Sequence, residues 1–107
     1  MPFYLIQASY GVQTTASLIK NPQDRAAAIR PMIERMGGKL HGLWLAFGKY
    51  DVVAITEMPD NVGAAAISMA IGSSGAMSAY RTTPLMTMAE ATDAMKKAGG
   101  AGYQPPK

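Results

Sequence analysis

The stretch Leu43-Trp44-Leu45-Ala46-Phe47-Gly48-Lys49-Tyr50-Asp51-Val52-Val53-Ala54-Ile55 decides the fold. Two apolar runs of strand length and composition, Leu43–Phe47 and Val52–Ile55, flank Gly48-Lys49-Tyr50-Asp51. That arrangement predicts a β-hairpin with Gly48-Lys49 as a two-residue loop. Such a loop needs positive φ at its first central position, which glycine adopts at little cost. On this alignment Phe47 faces Tyr50 and Ala46 faces Asp51. Leu45, Trp44, Leu43, Gly42 and His41 then face Val52, Val53, Ala54, Ile55 and Thr56 in turn. Side chains alternate between the faces. Phe47, Tyr50, Leu45, Val52, Leu43 and Ala54 form an aliphatic face that belongs under helices, with His41 and Thr56 at its far end. Asp51, Ala46, Trp44, Val53, Gly42, Ile55, Leu40 and Glu57 form a mixed face suited to a partner sheet or a pocket. His41 and Asp51 fall on opposite faces at opposite strand ends, on the order of 15 Å apart at the usual strand rise, too far for an acid–base pair. Asp51 and Trp44 are expected as diagonal neighbours on one face.

Outward from the hairpin, Phe3–Ser9 carries apolar residues on both faces, the pattern of a central strand. Thr14–Ile19 has the length of a helical turn. Asn21-Pro22-Gln23-Asp24 reads as a helix start, with Asn21 as cap, Pro22 at the first helical position and Asp24 at the positive dipole end. Ala26, Ile29, Ile33 and Met36 keep helical spacing until Gly37-Gly38 ends the run. Pro31 inside it predicts a kink near Ala27–Ala28 or a helix in two pieces. Leu40–Phe47 and Tyr50–Met58 are the hairpin strands. Pro59-Asp60 leads into a helix over Asn61–Ser73, apolar nearly all round and so expected to face the sheet and a partner at once. Met77–Met88 is a last strand, which Pro84 places at a sheet edge because proline cannot donate to the ladder. Glu90–Ala98 reads as a short helix, and Ala101–Lys107 as an arm carrying Tyr103 and Pro105-Pro106. The order strand, helix, strand, strand, helix, strand is an α+β, ferredoxin-like βαββαβ arrangement around an antiparallel sheet. Right-handed crossovers put the first and third strands in the centre and the second and fourth outside.

At 107 residues the chain has the size of one domain. With 49% hydrophobic and only 16% charged residues, it has more apolar surface than one small domain readily buries, and a second subunit is expected to cover some of it. The net charge of +3 comes from scattered residues, Lys96-Lys97 being the only adjacent basic pair, so no nucleic-acid stripe is present. The absence of cysteine excludes disulfides, thiolate zinc sites and cysteine nucleophiles. A single histidine, His41, argues against a metal site. No charged-then-apolar leader opens the chain, and Val62–Met77 is interrupted and too short to span a bilayer. A cytoplasmic protein with no membrane or nucleic-acid partner is therefore expected.

Four residues are candidates for a binding site. Asp51, beside an indole at a strand end, is either a proton-transfer carboxylate or, as aspartate near a turn more commonly is, a local acceptor for backbone amides. Tyr50 either orients a ligand oxygen or fills the core, and Trp44 either stacks on a planar ligand or simply packs. Arg81, among apolar neighbours on an edge strand, suits an anionic ligand group or a carboxylate across a dimer. No phosphate-cradling glycine loop or nucleophile elbow is present, and no cofactor is specified.

Gly48-Lys49-Tyr50-Asp51-Val52-Val53 resembles the signature of the GYD domain family. Asn21-Pro22-Gln23-Asp24-Arg25, Gly37-Gly38-Lys39-Leu40, Glu57-Met58-Pro59-Asp60 and Thr82-Thr83-Pro84-Leu85 are similar to stretches at corresponding places in that family. Lys97-Ala98-Gly99-Gly100-Ala101-Gly102-Tyr103 resembles a bacterial subgroup. The resemblance implies a dimeric α/β barrel, in which two ferredoxin-like sheets pack face to face. It assigns residues 1–89 to the domain and 90–107 to a short helix and arm. It implies no particular activity; relatives at superfamily level include small isomerases, cofactor-free monooxygenases, haem enzymes and ligand-sensing modules. The expectation is a homodimer or higher homo-oligomer that binds a small organic ligand, with isomerase or oxygenase chemistry as an extension. The alternative is a non-enzymatic assembly or sensing module.

Overall fold

The first strand, expected at the centre of the sheet, has a strand on each side. A computed structural model describes residues 1–106, so Lys107 of the arm lies outside the described residues. The elements run β1 (Phe3–Tyr10), α1 (Val12–Lys20), α2 (Arg25–Arg35), β2 (Lys39–Leu45), β3 (Val52–Glu57), α3 (Asn61–Ser73), β4 (Met77–Leu85) and α4 (Met88–Gly99). The sheet order is β2-β3-β1-β4 and every neighbouring pair is antiparallel. This is the ferredoxin-like α+β fold, with Pro84 on an edge strand as its missing N–H requires. α1 and α4 add to the six-element outline.

α2 and α3 cover one face of the sheet. Tyr4, Leu40, Ala54 and Met58 meet Ile33 of α2 and Ala64 and Ile67 of α3 in the buried core. Each large aliphatic side chain buried there contributes about 1.5–3 kcal/mol. The Tyr4 hydroxyl donates to Asn61 Oδ1 at 2.6 Å, so the largest core side chain leaves no orphan polar atom. α3 is capped by Asp60, whose Oδ1 accepts from the Gly63 amide at 2.9 Å. Val62 and Met69, on its outer side, are exposed.

α2 begins later than the Asn-Pro signal suggests. Asp24 is the cap, its Oδ1 accepting from the amides of Ala26 and Ala27 at 2.9 and 3.3 Å. Asn21 is instead the C-cap of α1, its own amide donating to Ser17. The helix runs unbroken through Pro31. Pro31 and Ala27 both face solvent, where water can take the carbonyl that proline leaves without a donor. Gly37, at φ 81°, and Gly38 close the helix by donating to Glu34 and Ile33 carbonyls, the double bond pattern that a left-handed glycine permits.

The hairpin departs from the expected turn. Its core register holds: Leu45, Trp44, Leu43 and Gly42 pair with Val52, Val53, Ala54 and Ile55. Residues 46–51 form a wider loop, however, and Gly48 has no positive φ. Phe47 does not pair with Tyr50 under the helices; it is 99% exposed. The backbone of Asp51 frames this loop on two sides. Its carbonyl accepts from Ala46, the residue expected to face it, and its amide donates to Ala8 of β1.

At the other end of the hairpin a bulge intervenes. Leu40, and not His41, pairs with Thr56, leaving His41 as the extra residue. Strict alternation would bury the imidazole and expose Leu40. The bulge reverses both: Leu40 is 3% exposed, while His41 stacks on Phe3 with ring centroids 5.1 Å apart on the face without helices.

That uncovered face carries Trp44, Val53, Ile55, Leu5, Phe3 and Leu85, with Gln7, Arg81 and Glu57 among them. Trp44 folds back over Gly42, where a Cβ would lie 2.7 Å from its Cζ2. α4 starts with a capping box formed by Thr87 and Glu90, yet none of its described residues is buried. The chain has a radius of gyration of 17.2 Å, well above the roughly 13 Å usual for this length, because α4 and the following arm stand away from the sheet.

Candidate functional site

The two helices cover the sheet unevenly. Where β1 ends, α1 carries no buried residue and holds on by its first turn, through the Gly11 amide and Thr14 hydroxyl to the Ala76 carbonyl at 2.9 and 2.8 Å. A cleft of about 530 Å³ remains between α1, the start of α2 and the hairpin. That volume suits a small organic molecule. Its apolar wall comes from Leu18 and Ile19 of α1 and from Leu43, Leu45 and Val52 of the hairpin. Leu45 stays 74% exposed because no helix reaches it.

Tyr10, Arg25 and Asp51 give this wall its polar group. Tyr10 ends β1 just after a register irregularity at Ser9/Tyr10. Its backbone amide donates to Asp51 Oδ2 at 3.0 Å, a charge-assisted bond that ties the hairpin loop to β1. Arg25 occupies the first position of α2, directly after its cap, and lines the same cleft wall as Tyr10. One Arg25 N–H is used by Gln23 Oε1 at 2.7 Å. Burial pushes the Tyr10 phenol above its ordinary pKa; the Arg25 charge pulls it down and the Asp51 carboxylate adds to the rise. Tyr10 is therefore a neutral hydroxyl near pH 7. The cleft offers donors from Arg25 and Tyr10 beside the Asp51 carboxylate.

The four sequence candidates do not meet in one place. Asp51 lines the cleft. Tyr50 sits in the loop, with Lys49 Nζ 5.8 Å from its ring centroid, and does not line the cleft. Trp44 and Arg81 belong to the uncovered sheet face, at the two ends of one cross-strand row, Trp44–Val53–Gln7–Arg81. The expected Asp51–Trp44 neighbourhood is absent, because Asp51 leaves the strand alternation to bond β1. His41 stays at the far end of the hairpin from Asp51, but through the bulge it joins the open face, where its Nε2 lies 2.6 Å from Glu57 Oε1. Among the described residues no group of three His, Asp or Glu side chains could hold a metal ion. None of the described helices is long and apolar enough to cross a membrane.

Sequence reading missed Tyr10 and Arg25. Tyr10 was accessible in principle, because Tyr4, Ile6, Ala8 and Tyr10 continue one alternating series and only the last has a polar tip beyond the core. Arg25 had no such signal. Its place depends on Asp24 being the cap, and on α1 folding back to set that cap beside β1.

The distinctive residue of this arrangement is the aspartate closing Gly-Lys-Tyr-Asp, which joins two strands. No curated protein and no solved structure matches the chain. A family model described as the GYD domain matches residues 4–95, spanning all four strands and reaching into α4, and the chain accordingly belongs to the GYD domain family.

Proposed function

We propose that this GYD-domain chain binds a small organic molecule in the cleft under α1, as a homodimer in bacterial cytoplasm. One observation carries the binding reading: a cleft of about 530 Å³ with aliphatic walls converges on Tyr10, Arg25 and Asp51. Arg25 and Tyr10 would hold a ligand oxygen, while the aliphatic wall would cover an apolar body. Asp51 would lie beside that oxygen as a proton acceptor, the role an isomerase-like reaction would need. Binding is the core of the proposal, and catalysis is its extension.

Native mass spectrometry of freshly purified protein tests it. A retained small-molecule mass that is lost in Arg25→Met, with the fold intact by circular dichroism, is expected. Equal retention in Arg25→Met would place the ligand elsewhere and refute the assignment.

A second reading, of assembly, draws on the uncovered sheet face. Phe3, Leu5, Val53, Ile55 and Trp44 form an apolar band with no helix above it, of the kind that usually marks an interaction site. A second copy packed sheet to sheet would cover it. Sedimentation at micromolar concentration is expected to show a dimer, and Val53→Asp a monomer. A monomeric native protein would sink this part alone.

A further inference from the structure

Arg25 departs from the other basic side chains. Of the described lysines and arginines it alone is withdrawn from full exposure, and it lies on the wall of the large cleft. Arg30 is spent on the Leu40 carbonyl at 2.9 Å, while Arg35 and Arg81 stand in solvent. Drawing a guanidinium out of water costs free energy that an anion or several acceptors must offset. Arg25 has little of either. Among the described residues its side-chain hydrogen bond is the one to Gln23 Oε1 at 2.7 Å, a neutral acceptor that occupies only part of the donor fork. The ion pair found among the described residues is His41–Glu57, so Arg25 pairs with no carboxylate of the chain.

The two carboxylates on the same wall are committed elsewhere. Asp24 is exposed, and its Oδ1 accepts from the Ala26 and Ala27 amides at the positive end of α2. Asp51 Oδ2 accepts from the Tyr10 amide. Both are aimed at backbone amides, and neither reaches the guanidinium.

What Arg25 lacks is therefore an anion from outside the chain, and the rest of the wall narrows its chemistry. A planar guanidinium fork matches the two oxygens of a carboxylate. Leu18, Leu43, Leu45 and Val52 offer aliphatic surface for an apolar body. Asp24 and Asp51 on the same wall repel a second negative charge, which disfavours a dianion such as a phosphate ester. We propose that the ligand of this cleft is a monocarboxylate with an apolar, ring-sized body, its carboxylate on the Arg25 fork and its body against Leu43, Leu45 and Val52. This rests on the binding reading above and names the ligand class for the same site.

Four probes with one ring and different heads test it by titration calorimetry on the full chain: phenylacetate, phenylacetamide, phenyl phosphate and 2-phenylethylamine. Native protein is expected to bind phenylacetate about tenfold more tightly than phenylacetamide, as one charge-assisted contact would give. Arg25→Met, folded by circular dichroism, should erase that difference, and Arg25→Lys, which keeps the charge without the fork, should restore only part of it. Leu45→Asn should weaken acid and amide alike; Leu45 is 74% exposed, so the fold is not at stake. Equal binding of acid and amide, both weakened by Arg25→Met, overturns the carboxylate class and leaves the binding site standing. Tighter binding of the amine, or of the phosphate, overturns the class in favour of a cation or a dianion. A preference for the acid that survives Arg25→Met overturns the role of Arg25. No heat from any of the four at millimolar concentration overturns the binding reading, and this inference with it.

Discussion

Replacing Asp51 with alanine removes a single side-chain contact that can be isolated from its surroundings. The backbone bonds of residue 51, to Ala8 and Ala46 at 2.8 and 2.7 Å, survive the change. What is lost is the carboxylate on the Tyr10 amide at 3.0 Å. A hydrogen bond to a charged group is worth about 1.5–3 kcal/mol. Water entering from the cleft can re-satisfy the Tyr10 amide in part, which places the expected loss for Asp51→Ala near the lower half of that range, about 2 kcal/mol. For a domain of this size each kcal/mol moves Tm by about 4 °C, so a fall of about 8 °C is expected. Asp51→Asn keeps an acceptor without the charge and should lose only about 0.7 kcal/mol, or roughly 3 °C. Urea unfolding and calorimetry at one fixed protein concentration measure both, the concentration mattering because dimerisation would add to apparent stability. Amide exchange locates the effect: Tyr10 should lose protection in Asp51→Ala while Ala8 partners keep theirs. If Asp51→Ala costs under about 0.5 kcal/mol, or Tyr10 exchange is unchanged, the strand-tying role of this residue is wrong.

Other perturbations address separate parts of the molecule. Gly38→Ala would put a Cβ against Met58 Sδ and 2.6 Å from the Glu57 carbonyl oxygen; because backbone must move, a loss of about 2–3 kcal/mol is expected in urea unfolding, and a neutral result would refute the close approach. Glu90 is held below its usual pKa of 4.5 by bonds from the Thr87 backbone and then its hydroxyl. With the folded value depressed, its support of α4 is whole above 4.5 and is lost as pH falls through the lower folded value. Ellipticity at 222 nm should drop across that window in native protein and lose this step in Glu90→Gln; an identical titration of both would exclude the capping role. Leu40→Ala should cost about 2–4 kcal/mol, because the bulge at His41 has delivered that side chain into the core.

How far pattern alone carries can be judged residue by residue. The strand order and the hairpin register from Gly42 to Leu45 were legible because alternation and edge proline encode them locally. The α3 boundaries were legible for a similar reason, since Asp60 caps that helix within its own segment. The bulge at His41 was hidden, because a one-residue insertion is decided by which side chain the core accepts: leucine gains by burial there and imidazole does not. The α2 cap was misplaced because α1 claims Asn21 for its own end.

The candidate site follows the same division. Apolar periodicity, glycine and proline placement, and the lack of cysteine are properties of the chain in order, and they suffice for a four-stranded antiparallel sheet with helices on one side. The company of Tyr10, Arg25 and Asp51 is different in kind. These residues come from three segments and meet through the Asp51 carboxylate's bond to an amide 41 positions away and through the Asp24 cap that sets Arg25 at the start of α2. Periodicity reports which face a residue prefers. It carries no information about a polar contact that overrides the preference, such as the bond from the Tyr10 amide to the Asp51 carboxylate.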